Sequence, residues 1–264
     1  MKIDLTAKSA VITGSTGGIG HAIARGLAAA GAAIVLNGRH PDDLDDAVGR
    51  LRDAVPTSTV RAVAADLGTA EGCRMLLAAI PATDILINNV GIYEPHDFFE
   101  TTDEEWDHIF AVNVMSGVRL ARAYLPGMAT RRWGRVIFVS SESALNIPVE
   151  MIHYGLTKTA QLALSRGLAK LLAGSGVTVN AILPGPTLSD GVQQMLRAEA
   201  DRAGQSIEEA AHAFVRRHRP SSIIRRAATV DEVANLAVYL ASTLSSATTG
   251  AALRVDGGIV DTIT

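Results

Sequence analysis

Six short apolar runs rich in β-branched residues recur along this 264-residue chain, at 10–13, 33–37, 60–65, 85–88, 136–140 and 177–183, separated by Ala- and Leu-rich stretches of helical length. Strands that are apolar throughout, rather than on alternate residues, belong to a sheet covered on both faces. The repeated strand-helix alternation with right-handed crossovers therefore predicts an α/β fold with a doubly wound parallel sheet. In such a sheet the binding crevice lies at the carboxyl ends of the strands.

The chain reads as one domain, 1–264, because no linker, repeat or low-complexity tract divides it. Thr102 with Glu105, and Ser206 with Glu209 after Gly204, have the spacing of helix capping boxes. The segment from about 188 to 222 breaks the alternation: it is polar and helical, and is expected to be a lid over the site, or else an outer helical hairpin. A net charge of -3 disfavours nucleic acid and anionic membrane as partners and suits a small-molecule substrate. Cys73 is the single cysteine, and no apolar leader or span-length run is present, so the expected compartment is the cytoplasm. The seven histidines show no zinc spacing, and no metal is expected.

Directly after the first strand stands Thr13-Gly14-Ser15-Thr16-Gly17-Gly18-Ile19-Gly20, followed by a helical run. Gly14, Gly18 and Gly20 suit a sharp reversal, close approach of a pyrophosphate to the backbone, and helix-on-strand packing, with free N–H groups at the helix start. The Gly-x-x-x-Gly-x-Gly spacing, with Thr13 before it and Ile19 within it, resembles the short-chain dehydrogenase/reductase family. That resemblance extends over nearly the whole chain and implies a Rossmann-type sheet of about seven strands, ending at 254–258. It also implies a nicotinamide dinucleotide cofactor, in contact with Gly14, Ser15, Thr16, Gly18, Ile19 and Gly20.

The second strand ends Asn37-Gly38-Arg39, where NAD-preferring relatives carry a carboxylate for the ribose hydroxyls. A guanidinium there grips a 2′-phosphate, so Arg39 favours NADP over NAD, although Gly17 supplies no second basic group. The resemblance further places Asp66 and Leu67 at the adenine, Asn89 and Gly91 at the end of the fourth strand, and Pro184, Gly185, Thr187 and Ser189 at the nicotinamide carboxamide. Val90 departs from the family's usual alanine.

Tyr154 alone among four tyrosines has a lysine, Lys158, four residues on. That pair means little by itself, but Ser141 lies thirteen residues before Tyr154, and Asn113 stands in the fourth long helical stretch. By the family's pattern, Ser141 holds the substrate carbonyl and Tyr154 is the acid/base. Lys158 holds the nicotinamide ribose, and Asn113 positions a water that returns the proton. A lysine cation about 4 Å from the phenol, at an effective dielectric of about 20, contributes roughly 4 kcal/mol, about three pK units, and is expected to lower Tyr154 toward neutrality.

The substrate pocket is expected to be lined by Ile92, Tyr93, Glu142, Leu145, Ile147, Met151 and residues of the lid. Glu142 either reads a substrate hydroxyl or amine, or points to solvent or caps a turn, the last two being preferred. His153 reads as a pocket or packing residue, and Arg131, Arg132, Arg216, Arg217 and Arg219 as solvated charges that would otherwise dock an acidic carrier protein or a coenzyme A phosphate. Within the family the likeness is to bacterial 3-oxoacyl-carrier-protein reductase-like members, which implies ketone reduction and a homotetramer or homodimer. The alternatives are an NAD-dependent dehydrogenase of a sugar, polyol or steroid alcohol and, more remotely, a non-catalytic dinucleotide sensor.

Overall fold

The computed structural model describes residues 2–263. Seven strands, β1 (Ser9–Ile12), β2 (Ala33–Gly38), β3 (Val60–Ala64), β4 (Ile85–Asn88), β5 (Gly134–Val139), β6 (Val177–Pro184) and β7 (Ala252–Val255), form one parallel sheet. Their order is β3-β2-β1-β4-β5-β6-β7. The connections carry α1 (Gly18–Ala29), α2 (Pro41–Ala54), α3 (Ala70–Ala79), α4 (Asp103–Phe110), α5 (Ser116–Thr130), α6 (Ile152–Leu171), α7 (Asp190–Ala203), α8 (Ile207–His218) and α9 (Val230–Leu240). This is the doubly wound arrangement expected from the alternation, with the order reversing between β1 and β4.

Two cores explain why the strands are apolar throughout. Ala10, Ile12, Ile34, Leu36, Ile85 and Ile87 face one core, against α1, α2 and α9. Their neighbours Val11, Val35 and Leu86 face the other, against α3, α5 and α6. Because successive side chains alternate between faces, both sets must be apolar when both faces are covered.

β5 begins at Gly134, earlier than the apolar run, because its second residue is the buried Arg135. Three carbonyls accept from the guanidinium, those of Ser242 at 3.0 Å, Gly134 at 2.8 Å and Gly176 at 3.3 Å, and it lies over the Trp133 ring. A charge satisfied in this way can occupy a central strand.

α4 and α5 are continuous through a π-helical turn, Ala111–Met115, that contains Asn113. Both anticipated capping boxes form, Thr102 with Glu105 and Ser206 with Glu209, and a third joins Thr229 with Glu232 at α9. The segment after β6 is an α7–α8 hairpin turned at Gly204, whose φ of 63° is left-handed. It has a small core of its own, including Leu196, Ala200, Ala211 and Val215.

Phe138 is the largest fully buried side chain, packed where β5 meets α5 at Gly117. Phe138→Ala is expected to lower the free energy of unfolding by about 3–5 kcal/mol, measured by denaturant titration.

Candidate active site

The crevice opens where β1 and β4 diverge. Thr13 leaves β1 and accepts hydrogen bonds on its hydroxyl from the Asn89 and Val90 backbone N–H groups, both at 2.9 Å. The Asn89 side chain donates to the Thr13 and Gly14 carbonyls at 2.9 and 2.8 Å, clamping the glycine loop to the end of β4. From the other side Asn37 receives the Gly14 N–H at 3.4 Å, and its own N–H donates to the Ser15 hydroxyl at 3.0 Å.

The glycines are required by contact. Gly14 has a φ of 58°, and a side-chain carbon on it would lie 3.0 Å from the Val90 Cα. One on Gly20 would lie 2.5 Å from both the Asn89 amide and the Gly14 carbonyl. α1 starts at Gly18 with no side-chain cap and no acidic residue of its own in the first turn. Its positive end therefore faces the crevice, and the Gly18 N–H donates at 3.0 Å to the carboxylate of Asp190, the first residue of α7. Such a cradle fits an anionic pyrophosphate.

Of the other residues assigned to a dinucleotide, Ser15 is fully buried and its hydroxyl also donates to the Ile12 carbonyl at 2.8 Å, so it shapes the loop. Thr16 accepts from Arg50 on its carbonyl, and Ile19 lies in the first turn of α1. Arg39 is exposed just past β2 and has no hydrogen bond or ion pair among the described residues. Exposed Asp66 accepts the Gly68 N–H at 3.0 Å, and Leu67 is buried beside it. Gly185 follows Pro184 and passes so close to Asp256 that a side-chain carbon would meet its backbone at 2.8 Å. Thr187 donates to the Gly185 carbonyl at 2.9 Å, and Ser189 caps α7.

The structure brings Asn113, Ser141, Tyr154 and Lys158 together. Ser141 follows β5, and its hydroxyl accepts the Ser143 N–H at 3.1 Å. It stands near enough to the Tyr154 phenol to favour its ionised form. Tyr154 lies in the first turn of α6, its ring edge-on to Tyr93 at 6.0 Å. Lys158 is buried one turn on; its ammonium donates to the Val139 carbonyl at 2.9 Å and stands 5.5 Å from the Tyr154 ring centre. A side-chain carbon on Gly91 would lie 3.4 Å from both Lys158 Nζ and Asn113 Oδ1.

The electrostatics differ from the expectation that Lys158 lowers Tyr154. Burial is the largest influence on the phenol and pushes it up to about 12, with Tyr93 and Glu142 raising it further, against the Ser141 hydroxyl and Arg219, which pull it down. Burial likewise brings Lys158 down to about 8. Desolvation penalises both charged forms, so near neutral pH the phenol keeps its proton.

Asn113 is tied into the protein on several sides. Its side chain accepts the Ile92 N–H at 2.8 Å and donates to the Ile92 carbonyl and the Thr157 hydroxyl, each at 3.0 Å. Its carbonyl accepts from Gln161 at 2.6 Å, while Gln161 accepts from Lys158 at 3.5 Å. Sequence reading passed over Gln161. Its only signal was a polar residue, seven after Tyr154, on the face of α6 that carries Lys158.

Glu142 neither points to solvent nor acts as a simple cap: it is buried and paired with Arg219 at 2.7 Å. Arg219, just past α8, is accordingly turned inward and is not one of a row of solvated charges. Tyr93, Leu145 and Ile147 are each about half exposed, with Ile92 and Met151 partly buried. His153 is a packing residue, edge-on to His96 and Trp106.

A family model described as enoyl-(acyl carrier protein) reductase matches residues 14–260. An uncharacterised oxidoreductase of Bacillus subtilis, YvaG, is 46% identical over 263 residues, covering 100% of both chains. D-beta-hydroxybutyrate dehydrogenase of Cupriavidus necator is 35% identical over 260 residues, covering 97% of this chain and 99% of its own. Among solved structures, L-sorbose reductase of Gluconobacter frateurii, complexed with NADPH and L-sorbose, superimposes with a TM-score of 0.92 at 33% identity over 100% of both chains. With a glycine cradle at the β1–β4 divergence and a Ser-Tyr-Lys cluster beside it, the chain belongs to the short-chain dehydrogenase/reductase family of oxidoreductases.

Proposed function

We propose that this chain reduces a small ketone with NADPH, Tyr154 supplying the proton. The observation that carries this reading is the partly buried Tyr154 hydroxyl, held in its protonated form by desolvation and facing Ser141, with Lys158 one turn on and the glycine cradle beside it. When bound, the dinucleotide supplies the hydride in reduction and accepts it in oxidation.

The chain's own residues do the rest. Ser141 and Tyr154 hydrogen-bond the carbonyl oxygen, polarise it, and stabilise the negative charge that grows there. Tyr154 gives up its proton to that oxygen. Lys158, fixed by Val139 and Gln161, carries the nearby positive charge and a donor for the ribose. Asn113 is a positioning residue that ties the loop after β4 to α6 through Ile92 and Thr157. Gly14, Thr16, Gly18, Ile19 and Gly20 cradle the phosphates, Asp66, Leu67 and Asn89 flank the adenosine side, and Pro184, Gly185, Thr187 and Ser189 flank the nicotinamide.

The unpartnered, exposed guanidinium of Arg39 supports NADP over NAD, in keeping with the NADPH bound by the sorbose reductase. Segment 188–222 acts as a lid, a reading supported by contacts at both its ends, Asp190 on Gly18 and Arg219 on Glu142. A homodimer or homotetramer is supported by exposed apolar residues on α4 and α6, Phe110, Leu156 and Leu171. The likeness to D-beta-hydroxybutyrate dehydrogenase favours one second reading, oxidation of an alcohol by the same groups run backward.

Three outcomes test this. Tyr154→Phe is expected to cut kcat for NADPH-dependent ketone reduction by about 10²–10⁴-fold while the NADPH dissociation constant, read by fluorescence titration, stays the same; residual turnover within tenfold of wild type, about 1.4 kcal/mol, overturns the role of Tyr154. Arg39→Ala is expected to weaken NADPH binding about 10–100-fold and leave NADH binding alone. Reductive kcat/KM should be level through neutral pH and decline as pH rises through about 8, where Lys158 loses its proton, long before Tyr154 does. A profile flat to pH 10 would remove the ammonium from the mechanism.

A further inference from the structure

Arg50 stands on α2, an acidic helix that offers it partners of its own. Asp46 precedes it by one turn and Asp53 lies three residues beyond it, the spacings at which helical ion pairs form. Among the described residues Arg50 pairs with neither. It reaches out of the helix instead, and its Nη2 donates at 2.6 Å to the carbonyl of Thr16 in the glycine loop. The guanidinium is exposed and makes no further hydrogen bond or ion pair among the described residues, so it has N–H donors to spare.

The carbonyl it holds marks a particular place. Thr16 packs its methyl group against the end of β2, where a side-chain carbon on Gly38 would lie 2.4 Å from Thr16 Cγ2. Arg39, next in the chain and exposed, starts from one side of that contact, and the Arg50 guanidinium is held at the other. In a sheet of this kind the end of the second strand is where the adenosine ribose of a dinucleotide is read. A single cation is outnumbered there. Asp42 and Asp43 open α2 just beyond Arg39, and a phosphate monoester carries about two negative charges of its own at neutral pH.

We propose that Arg50 is the second cation of a 2′-phosphate site: with one N–H on the Thr16 carbonyl and others turned to the phosphate, it supplies from α2 the positive charge that the glycine loop lacks at Gly17. This rests on the NADP reading given above and extends it from one residue to two. The bond to Thr16 fixes the guanidinium beforehand, so little side-chain freedom is lost when the phosphate arrives. NADH presents a neutral hydroxyl in the same place, which gains far less from a cation. The two arginines therefore separate the cofactors without touching the groups that both share.

Fluorescence titration of wild type, Arg50→Ala, Arg50→Lys and Arg39→Ala with NADPH and with NADH tests this, with melting temperatures measured alongside to verify folding. Arg50→Ala is expected to weaken NADPH binding about tenfold and to leave NADH binding within about twofold of wild type. Arg50→Lys, which keeps the charge, should recover part of that loss. A residue that only shaped the glycine loop would act through the pyrophosphate, common to both cofactors. Equal weakening of NADPH and NADH in Arg50→Ala therefore overturns the proposal. So does NADPH affinity that is unchanged in Arg50→Ala but lost in Arg39→Ala, and the NADP reading then stands on Arg39 alone. Should wild type bind NADH as tightly as NADPH, the NADP reading itself fails, and competition by 2′-AMP and adenosine decides Arg50 separately: a preference for 2′-AMP that falls about tenfold in Arg50→Ala upholds its role, and an equal preference in both proteins overturns it.

Discussion

A single threonine hydroxyl at the top of β1 holds the point from which the site is built. Thr13 is completely buried, donates to the Ile87 carbonyl at 3.2 Å, and accepts two N–H groups from the turn that ends β4. β1 and β4 are neighbours whose following chains depart in opposite directions, so the backbone groups at their ends lose ladder partners where the crevice must open. Thr13 and Asn89 replace those partners. The loop is thereby pulled against β4 so tightly that only glycine fits at positions 14 and 20, and the start of α1 is left aimed into the open space.

That aim creates a positive end with uncommitted N–H groups, and the chain places an anion there in Asp190. The attraction is the one any phosphate would feel, because the field belongs to the helix and not to the ligand. At the other end of the crevice the balance is set by burial. Tyr154 and Lys158 share one face of α6 and lie close together, but each is desolvated, and each is held toward its neutral form. A pairwise Coulomb argument at about 4 Å gave too low a phenol pKa because it left out the cost of burying the phenolate.

Much of this was legible in the sequence, for reasons that can be named. Alternating cores force strands such as 85–88 to be apolar throughout, capping boxes need only four consecutive residues, and the glycine loop is one contiguous turn. Ser141, Tyr154 and Lys158 were picked out through the family resemblance, whose pattern fixes their spacing, and they stand after a strand end and on one helix face. Long-range pairings were not legible. Arg219 and Glu142 are 77 positions apart, and each alone looks like a surface charge. Arg135 read as a strand boundary because its three carbonyl acceptors come from Gly134, Gly176 and Ser242, brought together only by the fold. Gln161 was invisible for the same reason, since its role exists only where α6 crosses the π-helical turn at Asn113.

That turn shows how a local irregularity serves a distant group. A π-helical turn widens the helix by one residue per hydrogen-bonded ring, which leaves side chains and carbonyls out of the regular ladder. Here Ala111–Met115 presents the Asn113 carbonyl to Gln161 and the Asn113 amide to the loop after β4. Gln161 then faces Lys158, so the buried ammonium is oriented by a chain of neutral dipoles instead of a carboxylate. A carboxylate in that place would have pulled the lysine's pKa back up and fixed its charge through the whole working range of pH. Neutral partners hold the nitrogen in position and leave its pKa down at about 8.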